Sequence, residues 1–512
     1  MKKHLTLAVV VLLFTVPLGT AVAAPSDTAV ESSVLKDEVT REQQAPPDPE
    51  NDTIGWENGY WYNESINVDQ SDGLSDAEQK AFVARSMARV EKLRQREFKK
   101  PVPVDVMTRA EYRNFTKSQG NTSANHSAWN NQVWEALFIA DENTNITKEL
   151  QQTYGEAVAG FYSQRKDSIV IVTDDPDMAT IDNATLIHEL VHALQDQYIN
   201  LSRKKFQGDT QDEQLAIQGL IEGEANYVQR LYEQKCSSGE WTCVKAPSSR
   251  GGGGDVNLGI LVTLLTPYSD GPVYIHTVVQ NQGWEGLNQL YEDPPNTTEA
   301  IIHDQHPADP LAPLSFNDTA RNGWKLFPDQ GVNGYDRAGE ASIYSMFWYQ
   351  SHPRGYNIPI INVQTFFNTV SEFDLYNYRS TPSNGWGNDR IYPYHKNGSY
   401  GYVWVTVWDT QQDASEFQSA YIDTLRGHGA EQRGKNTWVI PGGGYEDAFH
   451  VVKDGKEVMI VNAPTVDDLK DIKPGIQIQE TNGSDGSDGS DGTGTGDGSD
   501  GNSDTGNEWE RR

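Results

Sequence analysis

The run Ile187-His188-Glu189-Leu190-Val191-His192 constrains this chain more than any other stretch. It is an H-E-x-x-H pattern, and its flanks predict a helix that begins near Asp182 or Asn183. Side chains four residues apart on a helix are separated by about 400° of turn, so both imidazoles project from one face. That geometry suits two ligands of one zinc ion, with the Glu189 carboxylate beside a bound water. Such a helix needs a rigid layer behind it. Two short runs, Phe161 to Gln164 and Ser168 to Thr173, flank a polar turn just ahead of it and read as paired strands. The second, Ser168 to Thr173, is a candidate edge on which an extended peptide aligns.

A catalytic zinc takes three protein ligands and keeps one position open. The third candidate lies on a helix predicted at about Asp212 to Glu233, within Leu220-Ile221-Glu222-Gly223-Glu224-Ala225. Glu222 and Glu224 compete for the role. The helical wheel sets Glu224 nearer the stripe of Ile217, Ile221, Ala225 and Val228. Glu222 has Asn226 four residues on, a suitable hydrogen-bond partner for a ligating histidine. These arguments pull in opposite directions. Asp196, four residues after His192, either orients a neighbour or faces solvent. Tyr268, His303 and His306 are candidate donors to a developing oxyanion.

Glu222-Gly223 followed by Ala225 is similar to the E-G-x-A segment of zinc aminopeptidases, whose glutamate binds zinc. H-E-x-x-H followed on a later helix by a glutamate resembles the gluzincin metallopeptidases. The longer run from His188 to Gln197 also resembles exported zincin-type proteins of bacteria and halophilic archaea. That similarity continues in Pro267-Tyr268, Gly283-Trp284 and Pro294-Pro295…Thr298-Glu299…His303, and it is strongest over about 155–305. The resemblance implies a Zn2+ site of His188, His192 and Glu222, with Glu189 as general base and a peptide or protein substrate. It also prefers His303 as the catalytic oxyanion donor.

The ends of the chain suggest export. Lys2 and Lys3 precede an apolar stretch from Leu5 to Val16, and Ala21-Val22-Ala23 forms a small-residue cleavage site, so residues 1–23 read as a signal peptide. No later segment offers the 18 uninterrupted apolar residues of a membrane span, so no stable membrane insertion is expected. Twelve N-x-Ser/Thr sequons fit a secreted glycoprotein: Asn51, Asn63, Asn114, Asn121, Asn125, Asn145, Asn183, Asn200, Asn296, Asn317, Asn397 and Asn482. Only two cysteines are present, Cys236 and Cys243, and in an exported chain they predict one local disulfide. The net charge of −32, with no basic patch, argues against a nucleic-acid partner. Such a surface repels itself unless salt screens it, which points to a halophilic source.

The expected fold class is α+β. Residues 24–55 are an acidic, proline-bearing linker, and 481–512 a Gly/Ser/Asp tail. Between them, 56–247 form a zincin-like core with a small mixed sheet, the H-E-x-x-H helix and the third-ligand helix. A mainly helical lobe follows over 248–400, beginning at the glycine-rich loop Ser248 to Asp255, and a small α+β layer over 401–480.

Overall fold

The computed structural model describes residues 48–119, 123–156, 158–244, 256–369 and 371–476. The signal peptide, most of the linker, the loop from Ser248 to Asp255 and the tail lie outside the described residues, as do Asn121 and Asn482. None of the described helices is long and apolar enough to cross a membrane.

The described residues open with a small hairpin of β1 (Trp56–Glu57) and β2 (Tyr60–Trp61), laid on α1 (Asp76–Arg94). Ser75 and Glu78 cap α1 reciprocally, as their spacing predicts, and Phe82, Met87 and Val90 fill its buried face. Next come β3 (Val104–Thr108), α2 (Arg109–Gln119), α3 (Ala124–Ala136), α4 (Ile146–Glu156), β4 (Gly160–Ser163) and β5 (Ser168–Thr173). The three strands form a sheet of order β3-β5-β4, with β3 parallel and β4 antiparallel to β5. Ser168–Thr173 is therefore the central strand. It is not the edge expected from the sequence, because β3 arrives from far upstream to cover its second side. The edge next to the motif helix is β4.

That helix, α5 (Asn183–Ile199), packs Leu186, Ile187, Leu190 and Leu194 against Ile169, Ile171 and Tyr162. Helix α6 (Gln211–Ser237) lies beside it, capped by Thr210. Its end is tied by the Cys236–Cys243 disulfide, with Cα atoms 5.8 Å apart. Helix α7 (Leu258–Leu290) runs along α6 and kinks at Gly283, whose φ of 67° suits glycine. The two helices approach so closely that a Cβ on Gly223 would stand 2.6 Å from the Gly271 carbonyl carbon.

After α8 (Thr298–Ile302) come β6 (Lys325–Leu326) and α9 (Gly339–Ser351). The remainder is β7 (Trp386–Lys396), β8 (Ser399–Trp408), α10 (Gln411–Gly427), β9 (Glu431–Gly434), β10 (Thr437–Val439), β11 (Ala448–Asp454), β12 (Glu457–Ala463) and α11 (Val466–Ile472). The strands build one antiparallel seven-stranded sheet of order β6-β7-β8-β12-β11-β10-β9.

The fold is α+β, but the expected boundaries shift. A cut at 400/401 would run through the β7–β8 hairpin, since β6 and β7 complete the C-terminal sheet. That layer is accordingly larger than expected. Its main core also recruits Trp129, Val133 and Trp134 of α3, from within the stretch 56–247 assigned to the catalytic core.

Candidate metal centre

Helix α5 starts where the Asp182 carboxylate accepts the Thr185 N–H at 3.1 Å and ends at Asn200 in the left-handed region. Between these caps the motif sits at the helix's most buried point. His188 and His192 bring their Nε2 atoms to 2.9 Å of each other. Glu222 Oε2 of α6 lies 3.1 Å from the first and 3.4 Å from the second. Two ligands of a tetrahedral zinc stand about 3.4 Å apart, given Zn–N and Zn–O bonds of about 2.1 Å. The three side chains are at most 1 % exposed. The donor set, two imidazoles and a carboxylate, is one that zinc favours.

Orphaned atoms point the same way. Glu222 Oε1 and Glu189 Oε1 are buried without hydrogen-bond partners. His192 Nδ1 is 2.8 Å from Gln195 Oε1, which fixes its proton there and leaves Nε2 as a lone pair. Nε2 faces the Glu222 carboxylate at 3.4 Å, and a cation between them, a proton or a metal, satisfies both. Burial pushes Glu222 up, but His192 and His188 more than offset it, so its carboxyl sits at about 2. Burial alone would push His192 down, yet Glu222 raises it to about 9. His188, where burial dominates, is lowered. These residues fit a zinc ion.

Glu224 is committed elsewhere. It forms an ion pair with Arg94, accepts the Tyr291 hydroxyl, and accepts from Gln195 Nε2 at 2.9 Å. Of the two competing glutamates, the structure thus brings Glu222 to the histidines. Asn226 does not touch them, because its amide donates to the Glu222 backbone carbonyl at 3.1 Å. Asp196 orients a neighbour, accepting the Tyr162 hydroxyl at 3.0 Å and the Leu201 N–H at 2.8 Å.

Glu189 is fully buried, and its Oε2 accepts the Tyr162 N–H of β4 at 2.6 Å. Burial pushes its carboxyl up to about 8.

Residues 326–473 match a family model described as a domain of unknown function, DUF8575. No curated protein and no solved structure matches the chain. The matched segment holds α9 and, apart from Lys325, the seven-stranded sheet, and it leaves out α5 and α6.

His303 makes its contact with this segment. It ends α8, and its Nε2 lies 2.9 and 3.0 Å from the two oxygens of the buried Glu340 on α9. His306 is exposed. Tyr268 is the candidate that reaches the histidines: its ring stacks on His188 with centroids 6.5 Å apart. The Gly223–Gly271 approach brings that turn of α7 onto α6. Sequence reasoning overlooked Gln195, Arg94 and Tyr291. Gln195 had a local signal, being three residues past His192 on the same helix face. Arg94 and Tyr291 arrive from distant segments and had none.

Proposed function

We propose that this protein is an exported, zinc-dependent metallopeptidase. The observation that carries the reading is the convergence of His188 Nε2, His192 Nε2 and Glu222 Oε2 next to a buried Glu189. Zinc bound there would polarise the scissile carbonyl and lower the pKa of its water towards neutrality.

The other roles belong to the chain's own residues. Glu189 takes the proton of the attacking water on its free Oε1 and passes it to the leaving amine, while the Tyr162 N–H holds Oε2 in place. Strand β4 replaces Ser168–Thr173 as the edge that aligns an extended substrate. Tyr268 is preferred over His303 for stabilising the oxyanion, because it lies against the ligand set. Among the sequons, Asn63 and Asn183 are only part-exposed, and Asn183 also donates to the Val244 carbonyl, so glycans favour the more exposed sites. The net charge of −32 suits a high-salt exterior.

The test is zinc content together with peptide cleavage in high salt. Glu189→Ala should keep one zinc and lose cleavage by about 10²–10⁴-fold. Undiminished, chelator-sensitive cleavage by that variant would sink the mechanism. The complete burial of Glu189 favours one alternative, a non-catalytic binding module on the same scaffold. Stoichiometric zinc without cleavage of any member of a broad peptide library would support it.

A further inference from the structure

A second cluster lies away from the histidines, where α3 meets the C-terminal sheet. Glu135 comes from α3, Glu142 from the following loop, and Asp447 directly precedes β11. One carboxylate oxygen of each lies within 4.8 Å of the others. Glu135 and Asp447 are each only 4 % exposed, and Glu142 stands exposed at the rim. Among the described residues, no lysine or arginine forms an ion pair with any of them. Three carboxylates so close repel one another. Burial, and then neighbouring acids, hold Glu135 well above the usual carboxylate range; burial does the same for Asp447, which Glu142 and Glu446 reinforce.

Two buried amides give an independent indication. Gln132, 5 % exposed, turns its Nε2 onto Glu135 Oε2, and Asn462, fully buried, donates Nδ2 to Asp447 Oδ2 at 2.8 Å. The same two amides therefore point into the cluster, yet Gln132 Oε1 and Asn462 Oδ1 have no partner. A buried acceptor without a donor costs about 1–3 kcal/mol, and here there are two beside unpaired carboxylates. An oxygen-seeking cation answers all of these atoms at once.

We propose that Glu135, Glu142 and Asp447, with the amide oxygens of Gln132 and Asn462, form a calcium site. All five donors are hard oxygens, with no histidine or cysteine, which selects against zinc. Calcium binds oxygens at about 2.3–2.6 Å, so opposite ligands stand roughly 4.8 Å apart, and the three carboxylate oxygens fall within that distance of one another. The ion ties α3 and the loop that follows it to the sheet of the DUF8575 segment. The loop is already held there, since the Glu142 N–H donates to the Gly444 carbonyl at 3.0 Å. The inference does not rest on the zinc reading.

Terbium luminescence on the metal-stripped full chain tests it. The parent should bind one Tb3+ tightly, release it to Ca2+, and melt at a higher temperature when Ca2+ is added. Glu142→Gln changes an exposed side chain and should fold normally, yet weaken Tb3+ binding at least tenfold and lose the Ca2+ shift in Tm. Asp447→Asn should do the same if it folds; Glu142→Gln decides if it does not. Weak binding by the aspartate-rich tail is common to parent and variant and cancels. Identical Tb3+ titrations for parent and Glu142→Gln, with no Ca2+ effect on Tm, would overturn the proposal and leave Glu135 and Asp447 as protonated carboxyls.

Discussion

Gln195 Oε1 lies 2.8 Å from His192 Nδ1, and the opposite end of the same amide decides what that contact means. Gln195 Nε2 is 2.9 Å from the Ile221 carbonyl, from Glu224 Oε2 and from the Tyr291 hydroxyl. A carbonyl and a carboxylate only accept, so the amide nitrogen must face them and the amide oxygen must face the ring. His192 Nδ1 then carries the proton and Nε2 is free to ligate. A chain of contacts thus runs from the buried Arg94–Glu224 pair through Gln195 to the ligand set.

Gln195→Ala should therefore weaken zinc affinity by about 10–100-fold with the fold intact, the usual effect of removing a group that orients a ligating histidine. Competition with a chromophoric chelator measures it. Unchanged affinity would mean that the histidine is held by packing alone.

The two neighbouring glutamates should fail differently. Glu222→Gln removes the carboxylate nearest both histidines and should abolish stoichiometric zinc. Glu224→Gln should act on stability, because it leaves the Arg94 guanidinium, 2 % exposed, without its partner. Breaking a buried pair in this way costs about 3–5 kcal/mol. Urea unfolding and metal analysis of both variants separate the roles, and a reversal of the two outcomes would exchange them.

How much of this was legible in the sequence depended on distance along the chain. His188, Glu189 and His192 were readable because one helix turn sets their geometry. The wheel could not choose between Glu222 and Glu224, since the choice rests on Arg94, 130 residues away, and Tyr291, 67 residues away. An apolar run revealed strand Ser168–Thr173 and its pairing with Phe161 to Gln164, but not that β3 covers its second side, so its central place was missed. Strand β7 escaped notice because Pro393 and Asp389 are poor strand residues. Asp389 is buried there because its carboxylate accepts the Ala338 and Gly339 N–H groups at the start of α9 and the indoles of Trp386 and Trp404.

Tyr268 and His303 make opposite predictions about catalysis. If the ring stacked on His188 supplies the oxyanion donor, Tyr268→Phe should lower kcat by about 10²–10³-fold with little change in KM. His303→Ala should leave kcat within a few fold and act through Glu340, lowering Tm. Steady-state kinetics with one cleaved peptide would decide, and a large kcat loss confined to His303→Ala would restore the role that the resemblance assigned to it.

His450 gives a prediction independent of metal. It is 4 % exposed on β11, with Nδ1 2.9 Å from Thr437 Oγ1 of β10. Burial pushes its imidazole down to about 4 from an ordinary 6.5. Below pH 6.5 the unfolded chain takes up a proton that the folded chain refuses until pH 4. The neutral ring's contribution is thus complete above pH 6.5 and is lost across that window, by up to about 3 kcal/mol at pH 4. Other groups titrate there too, so the informative quantity is the difference between parent and His450→Gln. Urea unfolding from pH 7 to 4 should show the parent losing stability more steeply than the variant. Parallel profiles would show that the strand opens enough for His450 to be protonated in place.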